Sequence, residues 1–273
     1  MNRFRAIREM AREIRINCLK IVHEAQVGHL GADFSALEIM VVLYDHVLRF
    51  PNGQISHPDR DRFILSKGHA ALAFYAVLHS RDNGPVFDLN SFTKFDSSLA
   101  GHPASARLEG VETSTGPLGH GLPFGAGAAL GGKLAGSGRR VFVLVGDGEL
   151  QEGSNWEAAM LAASRRLDNL TLIIDRNGLQ QGRQTEIVNS LEPLADKWRA
   201  FGWSVREIDG HDVEQISREL GSVPFEAGKP SCVIAHTVKG KGVSFMENNA
   251  VWHHKIPDRK DLMLALTELE AWQ

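Results

Sequence analysis

Apolar and polar positions alternate along this chain in a pattern that predicts a parallel α/β fold. Short runs rich in Val, Ile and Leu are separated by longer helical segments, as expected for buried parallel strands joined by helices. No low-complexity linker divides the chain, and no repeat with a period of about 20–50 residues is found. We therefore expect one α/β domain over residues 1–273, with a mostly parallel central sheet flanked by helices. The runs predicted as strands are 61–66, 141–146, 170–175, 203–208 and 230–236.

Helical periodicity is found between these runs and at both ends of the chain. Residues 3–25 predict an amphipathic helix, and its apolar face contains Phe4, Ile7, Ala11, Ile14, Cys18 and Ile21. Ser35 can cap the helix that follows, because its hydroxyl can accept from an unpaired N–H of the first turn. The later helices are predicted at 36–49, 70–79, 124–134 and 191–201, with a charged helical tail at 259–273.

Charge and composition narrow the function classes. The 273 residues carry a formal net charge of −3, which argues against a broad surface for nucleic acid or anionic membranes. The longest apolar stretch, 37–44, is too short to span a bilayer. The basic N-terminus also contains Glu9 and Glu13, which favours a surface helix over a targeting segment. Cys18 and Cys232 are too few for a disulfide framework, so we expect a reducing, cytoplasmic location.

Two of the predicted strands end in polar residues that indicate a metal site. The run at 141–146 leads into Asp147 within Gly-Asp-Gly, and the run at 170–175 is followed by Asn177. Ligands of open α/β sheets bind beyond the carboxyl ends of the strands, so Asp147 and Asn177 should face one ligand. One carboxylate and one amide oxygen suit Mg²⁺ when phosphates and water complete its octahedron.

Four histidines lie where the backbone is open to a ligand. His29 is between two glycines, His69 is at a strand–helix junction, and His102 is between a glycine and a proline. His253 follows a flexible basic loop. Each of them alone could be an ordinary turn or capping residue. Together they favour a site that needs proton transfer near neutral pH, for which imidazole is suited.

A glycine-rich segment and an acidic helix start complete the candidate chemistry. Seven glycines fall between Gly116 and Gly132, but no Gly-Lys-Ser/Thr ends the segment, and the spacing is not that of a dinucleotide fingerprint. Glu149 can be explained by a favourable interaction with a helix dipole. Glu157 lies beyond the first turn in an apolar stretch, so the dipole explains it poorly.

Six ordered motifs together resemble those of the amino-terminal half of transketolase. GDGELQEG, followed by Asn177, is similar to the thiamine diphosphate signature. The others are SKGHA at 66–70, GHP at 101–103, STGPLGHG at 114–121 and TVKGKGVSFMEN at 237–248. The resemblance covers about residues 5–258. It implies a three-layer thiamine diphosphate-binding fold and transfer of a two-carbon ketol unit from a ketose phosphate to an aldose.

The resemblance implies that residues at the strand ends bind the cofactor. Mg²⁺, or another divalent cation such as Ca²⁺ or Mn²⁺, would be bound by three oxygen donors: Asp147, Asn177 and the carbonyl of Leu179. The thiamine diphosphate itself would contact residues on several loops. These are His69 and the N–H of Gly148 at the diphosphate, His253 near the same group, and Gly116 and Leu118 on the aminopyrimidine side.

Further roles concern the substrate and the dimer. His29, His102 and His253 match catalytic histidines that line the substrate channel. Glu152 and Glu157 match acids of a carboxylate network that links two active sites, with Glu152 close to the cofactor. Two departures are on the substrate side: Leu30 replaces the proline of a Gly-His-Pro-Gly motif, and His254 replaces a glycine. They leave open which sugar is used.

The resemblance also implies a partner. A complete transketolase has further domains, and this sequence ends at Gln273. We therefore expect a split enzyme in which a separate subunit carries the pyrimidine-binding domain, assembled as a two-plus-two heterotetramer. The alternatives are a subunit similar to deoxyxylulose phosphate synthase or 2-oxo acid dehydrogenase, or a non-catalytic paralogue.

Overall fold

A parallel sheet forms the centre of the computed structural model, which describes residues 3–81 and 83–272. Within these residues the main sheet has five strands in the order β1-β2-β3-β7-β6, and every neighbouring pair is parallel. A short antiparallel pair, β4 with β5, lies beside it. The strands are β1 Arg62–Leu65, β2 Val141–Gly146, β3 Leu170–Arg176, β4 Leu179–Gln180, β5 Arg183–Gln184, β6 Ser204–Asp209 and β7 Ser231–His236.

Helices cover both faces of this sheet. Phe142 and Leu144 of β2 point into the core on one face, and Val143 points into the core on the other. A strand buried on both faces has no polar side to expose, which explains its continuous apolar sequence. The helices are α1 Arg3–Ala25, α2 Leu30–Ser35, α3 Leu37–Val42, α4 Ala71–His79, α5 Gly121–Leu134, α6 Gly153–Ser164, α7 Thr185–Val188, α8 Leu194–Ala200, α9 Val213–Gly221 and α10 Arg259–Ala271.

The two outer layers have different members. Helices α1, α3, α4, α9 and α10 contribute to one core, and α5, α6 and α8 contribute to the other. The arrangement is helix–sheet–helix, so the predicted α/β class and three-layer order are confirmed. Helix α5 lies close to the sheet because a Cβ on Gly125 would overlap the Val143 side chain. A glycine is therefore required at this contact.

The prediction of one continuous helix over 36–49 was wrong. The structure has α2 and α3 with a break at Ala36, and a π-helical turn, Leu43–Val47, follows α3. Ser35 does not cap a helix; its hydroxyl donates to Asp175 Oδ2 at 2.6 Å. The buried Asp175 carboxylate needs donors, and Ser35 supplies one at the end of α2.

The chain ends pack together on one side of the molecule. Helix α1 contacts α10, and the buried Arg15 of α1 forms an ion pair with Glu38 at 2.7 Å. Gln273 of the predicted tail, like residues 1, 2 and 82, lies outside the described residues. Helix α5 begins at Gly121 and α8 at Leu194, each three residues from the predicted start. None of the helices in the described part of the chain combines the length and apolar character needed to cross a membrane.

Candidate active site

The carboxyl ends of β1, β2, β3 and β7 meet at one edge of the sheet. Gly146 pairs with Asp175, and Arg176 pairs with His236, so the residues after these strands are neighbours. Lys67 follows β1, and Asp147 follows β2. This edge is where an open α/β sheet binds ligands.

Asp147 and Asn177 lie together at this edge. Asp147 is 1% exposed, and its Oδ2 accepts from the N–H of Gly178 at 2.6 Å and from Arg176 at 3.0 Å. Asn177 Oδ1 accepts from the N–H of Leu179 at 3.1 Å. Burial, followed by the charge of Asp175, raises the pKa of Asp147. A bound cation would offset that effect by stabilising the carboxylate.

The donor set at this edge suits a hard divalent cation. It consists of a carboxylate, an amide oxygen and the Leu179 carbonyl, which are the oxygen types that Mg²⁺ and Ca²⁺ prefer. The Leu179 carbonyl now accepts from Lys239 Nζ at 3.3 Å. The same edge is also shaped for close approach, because a Cβ on Gly148 would lie 2.6 Å from Gln180 Cβ. These residues fit a metal–diphosphate group.

Lys239 is a site residue whose role was not predicted from the sequence. It is 2% exposed, and burial, followed by the Lys67 charge, lowers its pKa to about 8. A buried ammonium needs an anionic partner to offset its desolvation. An anion bound at this edge would provide that partner. The sequence signal was the basic loop after β7, whose lysine folds back over the strand ends.

Lys67 and Asp175 form a second buried charge pair beneath the site. Asp175 is fully buried and Lys67 is 1% exposed. Burial alone would raise the pKa of Asp175, but the Lys67 charge and hydrogen bonds from Lys67, Ser35 and Thr237 outweigh it and lower the pKa. Asn177 also donates to Asp175 at 3.2 Å. The pair therefore holds the floor of the site in place.

Five of the described histidines gather above this edge. His29 is central, with ring centroids 5.6 Å from His69, 6.0 Å from His102, 5.7 Å from His253 and 4.7 Å from His254. Burial is the largest cause that lowers the pKa of His29 to about 4 and of His253 to about 3. Burial also lowers the pKa values of His69 and His102. These four imidazoles are neutral near pH 7, when each has one donor and one acceptor nitrogen.

The glycine-rich turn lies against two of the loops that carry these histidines. Gly116 has φ +136°, which favours glycine, and a Cβ there would be 3.3 Å from the His102 ring. The turn also packs on the loop before α4, where a Cβ on Gly68 would meet Thr115 Oγ1 at 2.6 Å. Leu118 is 39% exposed. Gly116 therefore lies beside the histidines, and Leu118 faces outward from the turn.

Glu149 has a structural role that the dipole explanation missed. It is 3% exposed and accepts from the N–H groups of Gly119 at 2.9 Å and Gly146 at 3.1 Å. It also accepts from Ser66 Oγ, which itself accepts from Gly121 N–H. Burial raises the pKa of Glu149. This carboxyl group joins the ends of β1 and β2 to the glycine-rich turn.

Gly148, Glu152 and Glu157 lie on the segment after β2. The N–H of Gly148 donates to Asp147 Oδ1 at 2.8 Å, within the short turn Gly148–Gln151. Glu152 precedes α6 beside the glycine-rich turn, where Ser154 Oγ donates to the Gly119 carbonyl at 2.7 Å. Glu152 and Glu157 are exposed. The structure thus brings Gly148 to the metal edge and leaves both glutamates on the surface.

Comparison with known proteins identifies the family. Residues 6–264 match the family described as "Transketolase, thiamine diphosphate binding domain". The chain belongs to the transketolase family. The predicted family is confirmed, and with it the transferase class and the thiamine diphosphate-binding character of the domain. The alternatives considered from the sequence are not favoured.

Similar proteins include both separate subunits and complete transketolases. One of the two subunits of the apulose-4-phosphate transketolase of Actinobacillus succinogenes is 46% identical over 243 residues, which are 89% of this chain and 88% of that protein. The 6-deoxy-6-sulfo-D-fructose transketolase subunit of a Clostridium species is 36% identical, with 97% and 96% covered. The transketolase structure from Campylobacter jejuni superposes with a TM-score of 0.89 at 31% identity. The match covers 99% of this chain but only 43% of the Campylobacter chain, so this chain spans about two fifths of a complete transketolase.

Proposed function

We propose that this chain is the diphosphate-binding subunit of a split transketolase that transfers a two-carbon ketol unit from a ketose phosphate to an aldose. The observation that carries the proposal is the juxtaposition of three oxygen donors and a ring of neutral histidines at one sheet edge. The donors are Asp147, Asn177 and the Leu179 carbonyl. Residues 1–273 form one domain in this proposal.

The strand ends would bind thiamine diphosphate through its metal and its phosphates. Mg²⁺, or Ca²⁺ or Mn²⁺ in its place, would be ligated by the three oxygen donors. The Gly148 N–H, His69 and Lys239 would contact the diphosphate, since each can donate to an anion. His253 is next to His69, with ring centroids 5.3 Å apart, and would lie near the same group. Gly116 and Leu118 would contact the aminopyrimidine side.

The histidines would orient the sugar and move its protons. Thiamine diphosphate, when bound, supplies the nucleophilic carbon and the electron sink of the reaction. His29, His102 and His253 can accept a proton at one ring nitrogen and donate at the other, because they are neutral. They would position the sugar hydroxyls and exchange protons with them as the carbon–carbon bond breaks and forms.

The surface of α5 and α6 supports a partner subunit. The two helices pack against each other and expose large apolar side chains, which in a soluble assembly indicate a contact surface. The exposed side chains are Phe124 on α5 and Met160 and Leu161 on α6. The partner would carry the pyrimidine-binding domain and assemble with this chain as a two-plus-two heterotetramer. Glu152 and Glu157, which are exposed on the same helix or just before it, would face a second active site.

The relatives suggest which sugars to test. Two similar proteins are named for apulose 4-phosphate and one for 6-deoxy-6-sulfo-D-fructose, and all three are subunits. We propose a ketose phosphate as donor, and a cytoplasmic location where such sugar phosphates are metabolised. The free, buried Cys18 and Cys232 are compatible with a reducing compartment.

The decisive experiment combines this chain with its partner. The chain is co-produced with the protein encoded by the adjacent reading frame, and ketol transfer is measured with thiamine diphosphate and Mg²⁺. The donor panel contains xylulose 5-phosphate, fructose 6-phosphate and apulose 4-phosphate. We expect activity from the pair and none from this chain alone. Full activity of the isolated chain would contradict the split arrangement, and failure of every donor would contradict ketol transfer.

Metal binding is tested separately on the same pair. Asp147→Ala should weaken cofactor binding in Mg²⁺ by at least about tenfold, measured by titration calorimetry. Asp209→Ala is the matched control, because Asp209 ends β6 at the same sheet edge but is exposed and distant from the oxygen donors. Equal affinities in the two variants would contradict the metal assignment.

A further inference from the structure

A second group of metal-binding side chains lies above the oxygen donors. His29, His253 and His254 each offer a ring nitrogen, and these atoms all lie within 4.8 Å of one another. The His253 and His254 ring centroids are 4.5 Å apart, and those of His29 and His254 are 4.7 Å apart. His254 replaces a glycine of the transketolase pattern, so this triad depends on a residue that the cofactor does not require.

An unsatisfied nitrogen indicates that the cluster lacks a partner. Among the described residues, Nδ1 of His253 is buried and has no hydrogen-bond partner. A buried polar atom of this kind costs free energy unless a ligand or water satisfies it. Neutral imidazole nitrogens are ligands for borderline divalent ions such as zinc, whereas Mg²⁺ prefers oxygen.

We propose that His29, His253 and His254 bind one borderline divalent transition-metal ion, such as Zn²⁺, at a site distinct from the oxygen donors. Zinc–nitrogen bonds of about 2.0–2.1 Å in a tetrahedron place the ligand nitrogens roughly 3.4 Å apart. Rotation of the rings, of which His254 is exposed, closes the present separation to that value. Water or a sugar hydroxyl would complete the coordination.

The position of this site gives it a consequence for the reaction. His29 and His253 are also the histidines that we place in the substrate channel, so this step rests on the proposed function. An ion held by the triad would occupy the channel and compete with the ketose. The metal site is therefore inhibitory in this proposal.

Binding is tested on the full chain without any activity measurement. Co²⁺ is titrated in the presence of excess Mg²⁺, which saturates the oxygen donors, and visible absorption reports tetrahedral coordination by nitrogen. We expect one Co²⁺ per chain, displaced by Zn²⁺, and an affinity at least about tenfold lower in His254→Gln. His236→Gln is the matched control, since His236 is exposed and pairs with Glu207 at 3.0 Å outside the cluster.

A rescue variant separates ligation from a structural effect. His254→Cys should restore binding and add a thiolate-to-cobalt charge-transfer band, because cysteine is also a zinc ligand. Circular dichroism verifies that all variants are folded. Equal Co²⁺ affinity and spectrum in the wild type and His254→Gln would overturn the proposal, as would His254→Cys binding without the new band.

Inhibition is tested on the assembled pair. Zn²⁺ should inhibit competitively with the ketose, and the inhibition constant, measured relative to each variant's own activity, should rise at least about tenfold in His254→Gln. Zinc binding without competitive inhibition would overturn the position in the channel. If the pair has no transketolase activity, the proposed function fails, while the Co²⁺ titration still decides whether the metal site exists.

Discussion

His29 and His253 are held in their neutral forms by their surroundings. Burial, followed by charges of neighbouring His and Lys side chains, lowers the pKa of His29 to about 4 and of His253 to about 3. A lowered pKa means that the proton binds only at lower pH. Protonation of these two residues should therefore not reduce kcat/KM of the assembled enzyme between about pH 8 and pH 6. The measurement is a pH profile of kcat/KM.

The profile has a clear opposite outcome. A loss of activity with a midpoint near the ordinary histidine value of about 6.5 would contradict the neutral assignment if it disappears in His29→Asn. His254 is exposed beside them, so His254→Asn is the control for a titration that belongs to the rim rather than to the channel.

Lys67 offers a test of the buried charge pair beneath the site. Lys67→Met leaves the Asp175 carboxylate buried without its cation, which should cost about 3–5 kcal/mol of the free energy of unfolding. Adding Asp175→Asn removes the uncompensated charge and should recover part of the loss. Urea unfolding of the isolated chain measures both.

A surface pair on the same molecule provides the comparison. Lys133 and Asp168 are 36% and 28% exposed, so Lys133→Met should cost only about 0–1 kcal/mol. If Lys67→Met is no more destabilising than Lys133→Met, the buried pair does not stabilise the strand ends. If the double variant is less stable than Lys67→Met, an uncompensated carboxylate is not the cause.

Helix α5 must lie close to β2, and two of its glycines separate packing from helix propensity. A Cβ on Gly125 would overlap Val143, so Gly125→Ala should destabilise the chain by about 1–3 kcal/mol. Gly127 has nothing within 4 Å of its added Cβ and is exposed. Gly127→Ala should therefore stabilise the chain by about 0.5–1 kcal/mol, because alanine favours a helix.

Thermal unfolding measures this contrast directly. The melting temperature should fall for Gly125→Ala and rise by roughly 1–4 °C for Gly127→Ala. Equal shifts in one direction would mean that the distance between α5 and the sheet adjusts freely, contrary to the close packing seen at Val143.

The sequence predicts those elements whose signal is local. The strands are recognisable because burial on both faces demands continuous apolar runs, and Asp147 and Asn177 follow from the positions where two runs end. The break between α2 and α3 could not be predicted, because Ser35 is fixed by a bond to Asp175, 140 residues away. Lys239 was missed for the same reason, since its contact with Leu179 joins positions 60 residues apart.

At the scale of the whole molecule, net charge conceals the character of the site. The chain has a formal net charge of −3, yet the edge that would bind a diphosphate contains the buried cations Lys67 and Lys239. The overall charge argues against a broad nucleic-acid surface but carries no information about a small anionic ligand. The local arrangement of a few buried residues decides that question.

The exposed apolar surface of α5 and α6 predicts where the partner binds. Leu161 is 41% exposed on α6, beside Met160 at 55%. Leu161→Asp should leave the stability of the isolated chain within about 0.5 kcal/mol, because an exposed side chain makes few internal contacts. It should weaken association with the partner by at least about tenfold, since a charge would be buried in an apolar contact.

Sedimentation velocity of the two co-purified subunits measures this association. Val86→Asp is the control: Val86 is fully exposed, and it lies outside α5 and α6, so the same charge there should not alter assembly. Equal assembly of the two variants would place the partner on another surface. Weaker assembly of Leu161→Asp alone, with unchanged unfolding of the isolated chain, would assign the α5–α6 surface to the contact, because folding and association would then respond independently to one side chain.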